Sequence, residues 1–371
     1  MNLLTSPYLV LLPETSERCA FLSLLNKKTY TYDKKVLSIL KQCIHPTSLL
    51  DLYEQYDQAE IENLINDNIL LNYLTVWDQY HFIRAEIETH TLCNFRCKYC
   101  PISISPSTKQ EVMSLDNFEE CLKKISSQKT ISEVTFNAYN EPTIDPYFCH
   151  RTELVTQYEL NLAISTNGSA LTVDKLKQIK KNGVGHLIRF NLPSVDLKKY
   201  EALTQTTGIL DSVLNSIDMA VSMDINICII VNGVANEALQ EMEAILKRFP
   251  KLSKEQVQYG LTTDRAGRLE EEYYQDIHNT NPHLFGCSIA FSTLYIGVDG
   301  MVYLCSCDYG KKYVYGNIFN DTIDEIAKSV YAANLKKNVF GAQEAPADFI
   351  CRRCIDMKRL KPFKQRLNKF M

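Results

Sequence analysis

The sequence predicts an α/β protein built on a parallel sheet, with a smaller segment on either side. Three observations point there. Between residues 82 and 262 strand-type and helix-type segments alternate until six strands have passed. Cysteines gather near the start of that stretch and again beyond its end, and the first eighty residues carry a hairpin-and-helix pattern of their own. Strands joined by helical crossovers run parallel, since a tight hairpin joins only antiparallel neighbours. The expected division is 1–80, 82–265 and 266–371.

With 371 residues, 45% of them apolar, the chain has room for two or three globular cores. A net charge of −4 gives no overall electrostatic case for nucleic acid or an anionic membrane. No apolar run reaches the ~20 residues of a membrane-spanning helix. The opening MNLLTSPYLVLLP has no Lys or Arg ahead of its apolar residues and does not read as a secretory signal. A cytoplasmic location is therefore expected, where thiols stay reduced and thirteen cysteines point to metal. Eight of them fall in the groups 93/97/100, 287/305/307 and 351/354. Cys19, Cys43, Cys121, Cys149 and Cys228 are scattered and read as small core residues.

In the first segment, β-type runs lie at 8–12, 19–25 and 28–32, the last two joined by a tight Asn26-Lys27 step. Asp33 is placed to cap a helix carrying Val36, Leu37, Ile39 and Leu40. Pro46-Thr47 restarts the chain into a second helix, and Asp57 opens a third with Ile61, Leu64 and Ile65 on one face. A strand-like ILLNYLTV closes a winged-helix-like unit. DNA is a poor partner for it: residues 1–85 hold seven Lys/Arg against ten Asp/Glu, and phosphate contacts need the opposite balance.

The middle segment predicts strands at 83–88, 133–137, 160–165, 186–191, 225–231 and 257–261. Helices are expected at 115–125, 173–181 and 237–248, with two more before residue 222. In its first loop, TLCNFRCKYCP sets Cys93, Cys97 and Cys100 in C-x3-C-x2-C spacing. Three thiolates in one tight loop leave a 4Fe–4S cube one iron short of full ligation. Buried cysteines or part of a zinc knuckle are the other readings of that spacing.

With Tyr99 just ahead of the last cysteine, the loop resembles the signature of the radical S-adenosylmethionine (radical SAM) superfamily. The resemblance implies a partial (β/α)6 barrel with its site at the C-terminal strand ends. It implies that Cys93, Cys97 and Cys100 hold a SAM-binding 4Fe–4S cluster. S-adenosyl-L-methionine would chelate its open iron and be cleaved to a 5′-deoxyadenosyl radical that abstracts hydrogen from an unactivated C–H bond. Tyr99 is then an expected cofactor contact. Ala138-Tyr139-Asn140-Glu141-Pro142 resembles the family's Gly-Gly-Glu-Pro turn, which places Glu141 at the methionine amino group. Tyr139 and Asn140 replace the two glycines; Asn tolerates a positive φ and can stand in for glycine, Tyr less easily, so the turn is expected to follow the family path. Ser165-Thr166-Asn167-Gly168 resembles the family's Thr-Asn-Gly strand end, near the ribose and the methionine carboxylate. Asn167 is the preferred contact there and Ser165 the next. Arg189 and Asn191 on the following strand are further candidates, although a lone strand Arg equally pairs with an acid. Asp264-Arg265-Ala266-Gly267 resembles the family's link out of the barrel.

Cys287, Cys305, Cys351 and Cys354 form a second constellation. Asp299-Gly300 marks a hairpin with Cys287 and Cys305 at its base, and a helix at 323–337 leads back to the Cys351-x2-Cys354 knuckle. Two cysteine pairs suit tetrahedral zinc as well as iron–sulfur. The layout resembles the twitch form of the family's SPASM domain, a C-terminal cysteine-rich auxiliary-cluster domain. That implies one auxiliary 4Fe–4S cluster on these four cysteines. Cys307 is left as a substitute for Cys305, a hydrogen-atom donor or a buried neighbour. From residue 352 the tail carries eight Lys/Arg and one Asp. It reads as a solvated helix end or a dock for an acidic electron donor such as flavodoxin or ferredoxin.

Residues 1–80 also resemble the recognition element at the front of many peptide-modifying radical enzymes, where a leader peptide adds as a strand to a sheet edge. On that resemblance the edge is 28–32 and the facing helix 57–66. The function implied is crosslinking or epimerisation of a ribosomally made precursor peptide, a RiPP maturase. A radical SAM dehydrogenase of a small molecule is the alternative. From another class, a non-catalytic iron–sulfur or zinc regulator with a winged-helix reader is the third. No catalytic base or hydrogen donor is identifiable.

Overall fold

The computed structural model describes residues 1–354 apart from 13–16, 24, 27, 107–109, 183–185, 234, 262–264, 267, 270–286, 288–289 and 341. The chain divides into two units. One is Met1–Phe82 with Gln275–Ser292 and Asp324–Met371; the other is Ile83–Tyr274 with Thr293–Ile323.

The first unit opens with β1 (Asn2–Thr5), β2 (Leu9–Leu11), β3 (Arg18–Ser23) and β4 (Thr29–Asp33). There follow α1 (Val36–Gln42), β5 (Thr47–Ser48), α2 (Leu49–Gln55), α3 (Gln58–Asn66) and β6 (Leu70–Asn72). The hairpin and the three helices fall where apolar spacing puts them, and Leu37, Leu40, Leu52, Ile61 and Leu64 bury around Phe21. Asp57 caps α3 by accepting from Glu60 N at 3.0 Å. Asp33 does not cap α1: the position belongs to Lys35, and Asp33 instead accepts from Lys35 N at 2.9 Å to close the preceding turn. Nor does the closing strand extend the hairpin. β6 pairs antiparallel with β1 in a sheet ordered β5-β1-β6, while β2-β3-β4 form another. A four-residue strand whose partners lie far downstream leaves no local periodicity, which is why β1 escapes a pattern reading.

The second unit contains β7 (Arg84–Ile87), α4 (Leu115–Ser126), β8 (Glu133–Thr135), α5 (Phe148–Gln157), β9 (Asn161–Thr166) and α6 (Val173–Lys181). It continues through β10 (Leu187–Asn191), α7 (Leu197–Thr204), α8 (Leu210–Ser222), β11 (Ile227–Gly233), α9 (Ala235–Arg248) and β12 (Val257–Leu261). Last come β13 (Thr293–Ile296), β14 (Met301–Tyr303) and β15 (Val314–Asn317). One nine-stranded sheet results, ordered β12-β11-β10-β9-β8-β7-β13-β14-β15, with β7 to β12 parallel as the crossovers require.

Beyond residue 265 the described strands continue the same sheet. β13 pairs parallel with β7, and the Asp299-Gly300 hairpin extends the same sheet, covering an edge that β7 would otherwise expose. Gly300 is required at that turn: its φ is +78°, and an added Cβ would strike the Phe319 ring. Cys149, read as a core residue, is exposed, whereas Cys19, Cys43, Cys121 and Cys228 are buried.

The helix expected at 323–337 is two, α10 (Ile323–Lys328) and α11 (Val330–Val339). They part at Ser329, whose side chain accepts from Ala332 N at 3.1 Å and starts the second. In the first unit, Lys336 of α11 is fully buried, its Nζ 2.9 Å from the carbonyl oxygens of Trp77, Gln79 and Ala327. Lys336→Met keeps the stem but strands three carbonyls, and it is expected to destabilise this unit by about 3 kcal/mol. Trp77 is the chain's only tryptophan, so its fluorescence in urea reports the loss directly. Among the described residues no helix is long and apolar enough to cross a membrane.

Candidate metal centre

The loop that leaves β7 is fixed by its backbone on three sides. Thr91 N donates to Glu111 O at 3.1 Å, and Glu141 N donates to Leu92 O at 2.8 Å. From the last turn of α7, Leu203 O accepts from Lys98 N at 2.9 Å and Thr204 O from Arg96 N at 3.3 Å. Arg96 folds its guanidinium back onto the carbonyls of Cys93 and Phe95 at 2.7 and 2.8 Å. Cys93, Cys97 and Cys100 are thereby held half-buried, with no disulfide.

Burial pushes the Cys93 and Cys97 thiols up to about 12, and the neighbouring sulfurs add to the rise at both. Burial raises Cys100 as well. Phe95 N already points at Cys93 Sγ from 3.5 Å. Three enclosed thiols that resist becoming thiolates together suit a multivalent cationic centre, whose charge replaces their protons. The residues present therefore fit a cluster.

Behind the loop, Glu141 is a hub. Its carboxylate is buried and accepts from Thr143 N at 3.0 Å, Thr143 Oγ1 at 2.5 Å, Thr166 Oγ1 at 2.6 Å and Asn167 N at 2.7 Å. Burial pushes its pKa up while these four donors pull it down. His90 adds a fifth tie. Its Nδ1 accepts from Leu92 N at 3.2 Å, so Nε2 carries the proton and donates to Glu141 O at 3.1 Å. Burial lowers the pKa of His90 and keeps the ring neutral.

Asn167 is equally committed. Its Nδ2 donates to Asn94 Oδ1 at 2.9 Å inside the cysteine loop, and its Oδ1 accepts from Ser169 N and Oγ at 2.9 and 2.7 Å. The side chains of Glu141 and Asn167 thus build the cradle around the loop. Neither Tyr139 nor Asn140 adopts a positive φ. Asn140 replaces glycine differently: its Oδ1 accepts from Ala138 N and its Nδ2 donates to Phe136 O, both at 3.0 Å. Tyr139 turns outward from the bend, its hydroxyl donating to Ser306 O and its ring set edge-on to Tyr309.

The remaining candidates gather on one face of the strand ends. Tyr99 Oη lies 3.4 Å from Asn191 Oδ1, which also accepts from Asn232 Nδ2 at 2.7 Å. Ser165, on β9, pairs in register with Arg189 on β10, two residues before Asn191. Its backbone N–H and C=O are held by Asn137 at 2.8 and 2.7 Å. Arg189 goes to an acid, its guanidinium 3.7 Å from Glu133.

Lower on the same sheet face, Arg84 lies 2.6 Å from Glu133 and 4.0 Å from Glu86. Burial raises the Glu86 carboxyl to about 7, although Arg84, Arg189 and Arg265 pull it down; Glu133, Tyr295 and Tyr303 also face it. In the folded protein Glu86 keeps its proton through pH 5 to 6, where an unfolded chain has already lost it. Its contribution to stability is complete below about pH 4.5 and disappears as pH climbs through about 7, a change of up to about 3 kcal/mol. Glu86→Gln should flatten that part of the stability-versus-pH curve, measured by urea unfolding at half-unit intervals.

Of the second cysteine group, Cys305 and Cys307 follow β14 in the second unit, half-buried and buried. Cys287, Cys351 and Cys354 belong to the first, with Cys351 and Cys354 buried around one short turn, Ile350–Arg352. Most of the basic tail, and Asp264 and Gly267 of the barrel exit, lie outside the described residues. Pattern reading missed Asn94, His90, Thr143 and Asn232. Only their nearness to Cys93, Glu141 or a strand end marked them, and polar residues at turns are common.

Residues 87–249 match the radical SAM superfamily, and residues 287–355 match the SPASM iron–sulfur cluster-binding domain. The GTP 3′,8-cyclase of Campylobacter jejuni (strain RM1221) is 33% identical over 172 residues, 45% of this chain and 52% of the cyclase. The chain therefore spans about half the length of that relative. The S-adenosyl-L-methionine-dependent 2-deoxy-scyllo-inosamine dehydrogenase of Niallia circulans is 21% identical over 275 residues, 74% of this chain and 92% of that protein. Among solved structures, Streptococcus suis SuiB bound to precursor peptide SuiA aligns with a TM-score of 0.58 at 11% identity, covering 96% of this chain and 94% of SuiB. That likeness is one of fold.

Proposed function

Because the chain is a radical SAM enzyme with a SPASM-type iron–sulfur domain, we propose that it modifies a ribosomally made precursor peptide by C–H abstraction. A 4Fe–4S cluster bound by Cys93, Cys97 and Cys100 supplies one-electron reductive cleavage of S-adenosylmethionine. Glu141, Asn167, Asn94 and His90 hold the loop and the strand ends rigid around that site. Tyr99, Ser165 and Asn191 are the side chains left to meet the cofactor. The SPASM match supports an auxiliary iron–sulfur cluster as well, reduced or oxidised through a flavodoxin- or ferredoxin-type donor.

One observation carries the peptide reading. In the β2-β3-β4 sheet, β4 is an edge strand paired with β3 alone among the described residues, and its Tyr32 hydroxyl is tied to Asp67 at the end of α3. A free edge braced by a helix suits an added strand, whose main-chain hydrogen bonds give affinity. SuiB, which shares the fold across nearly this whole chain, is solved with a precursor peptide. The test is fluorescence anisotropy with a labelled peptide encoded by a short reading frame next to that of this chain. Saturable micromolar binding that is lost when residues 1–80 are occupied by unlabelled leader supports the reading, and no binding refutes it.

A second reading, dehydrogenation of a small hydroxylated molecule, is favoured by the extent of the Niallia circulans match and by the Arg- and Glu-lined sheet face around Glu86. It predicts turnover without any peptide.

A further inference from the structure

Tyr200 lies in α7, fully buried, and among the described residues its hydroxyl has no hydrogen-bond partner. Leaving a buried hydroxyl unpaired costs about 1–3 kcal/mol, so a helix that carries one at its functional end calls for an acceptor. The surroundings name the direction. The last turn of α7 is docked on the cysteine loop through Leu203 O and Thr204 O. Tyr200 stands one turn earlier, its ring edge-on to Phe95 with centroids 6.5 Å apart. Burial raises the Tyr200 phenol's pKa, and Cys97 and Glu141 add to the rise, which places both beside it; Cys97 also has Tyr99 as a side-chain hydrogen-bond partner. Glu141 already accepts four hydrogen bonds, from Thr143, Thr166 and Asn167. The acceptor left on that side is sulfur.

We propose that the Tyr200 hydroxyl donates a hydrogen bond to the sulfur at the Cys97 corner of the cluster and thereby sets its reduction potential. Tyr200 is a positioning and tuning residue, not a catalytic one. Hydrogen bonds to cluster sulfurs stabilise the more negative, reduced state and raise the potential. A phenol at this corner makes the cluster easier to reduce, and the helix that delivers it also braces the loop. The inference rests on the reading that this loop holds the cluster.

The test is Tyr200→Phe, which removes only the oxygen. The reconstituted enzyme, free of S-adenosylmethionine, is titrated electrochemically with detection by electron paramagnetic resonance. The signal of this loop's cluster is identified as the one that later changes on adding S-adenosylmethionine. The expected result is an unchanged iron content with a lower midpoint potential, the reduction equilibrium falling about tenfold, ~59 mV for one electron. Independently of any variant, the unaltered enzyme exchanged into D2O should lose a proton coupling to the reduced cluster that Tyr200→Phe lacks from the start. An unchanged potential together with an unchanged proton coupling overturns the inference. A shift that appears only after S-adenosylmethionine is added also overturns it, since the hydroxyl then serves the cofactor. If no signal of the unaltered enzyme responds to S-adenosylmethionine, the reading of the loop itself fails, a distinct result.

Discussion

Glu141→Ala is expected to lower S-adenosylmethionine affinity by at least about 100-fold and to destabilise the second unit by about 3–5 kcal/mol. The argument is an accounting of donors. Thr143 N, Thr143 Oγ1, Thr166 Oγ1 and Asn167 N all end on this carboxylate in a buried site. The two hydroxyls can rotate to another acceptor, but the two amides cannot. Removing the acceptor leaves them unpaired, and Asn167 loses the hold by which it fixes Asn94 in the cysteine loop. Glu141→Gln should fall between wild type and alanine. The amides of Thr143 and Asn167 end on different carboxylate oxygens, so Gln keeps an acceptor for one of them and sets its NH2 against the other. Thr166→Val removes two bonds, the donation to Glu141 at 2.6 Å and the acceptance from Gly168 N at 2.9 Å, and should cost about 2 kcal/mol. Calorimetric titration with S-adenosylmethionine measures the first effect. Because Trp77 lies in the first unit, its urea midpoint should stay where it is in all three variants. Affinity equal to wild type in Glu141→Ala would mean that the hub is dispensable.

The sequence carried the skeleton of this site but not its wiring. Each of the six parallel strands was visible as a short β-branched or apolar run between helical segments, because strands buried by crossovers must be apolar. α5 was not visible, since it buries Arg151 against Asp145 at 3.0 Å and under the Phe118 ring, and a buried guanidinium breaks the apolar period. The cysteine spacing was legible because ligation demands fixed residue types at fixed intervals. Glu141 and Asn167 were legible as residues, but the four donors that end on Glu141 were not, because they come from turns and strand ends far apart in sequence. The turn at Tyr139 and Asn140 shows the same limit from the other side. A missing glycine suggested an Asn that tolerates a positive φ, whereas the side chain of Asn140 closes the bend with two hydrogen bonds and no positive φ. The sheet partner of the strand at 293–296 was hidden for another reason. Sheet membership is decided by which edge needs covering, and β7 is some two hundred residues upstream of the strand that covers it.

The combined change of Cys93, Cys97 and Cys100 to alanine should end deoxyadenosine release, a loss of more than about 10³-fold, and halve the iron from about eight to about four per chain. Changing Cys351 and Cys354 should remove the other half while deoxyadenosine release persists, because cleavage of S-adenosylmethionine needs only the cluster with an open iron. The two variants thus separate the roles that iron content alone would merge. The protonation state of the first loop adds a check on the unaltered protein. With Cys93 and Cys97 raised to about 12 and Cys100 raised as well, all three sulfurs enter reconstitution as thiols. Each must surrender its proton to iron, so of the protons released on loading at pH 7 about three per cluster come from these thiols, beside those shed by the four sulfides, and loading should weaken as pH falls. Proton release in weakly buffered solution, counted against iron uptake, measures this. Release from the Cys93, Cys97 and Cys100 variant should be lower by those three protons together with the ones shed by the missing cube's four sulfides. If the alanine variant still forms deoxyadenosine, or releases as many protons as the unaltered protein, the chemistry does not start at this loop.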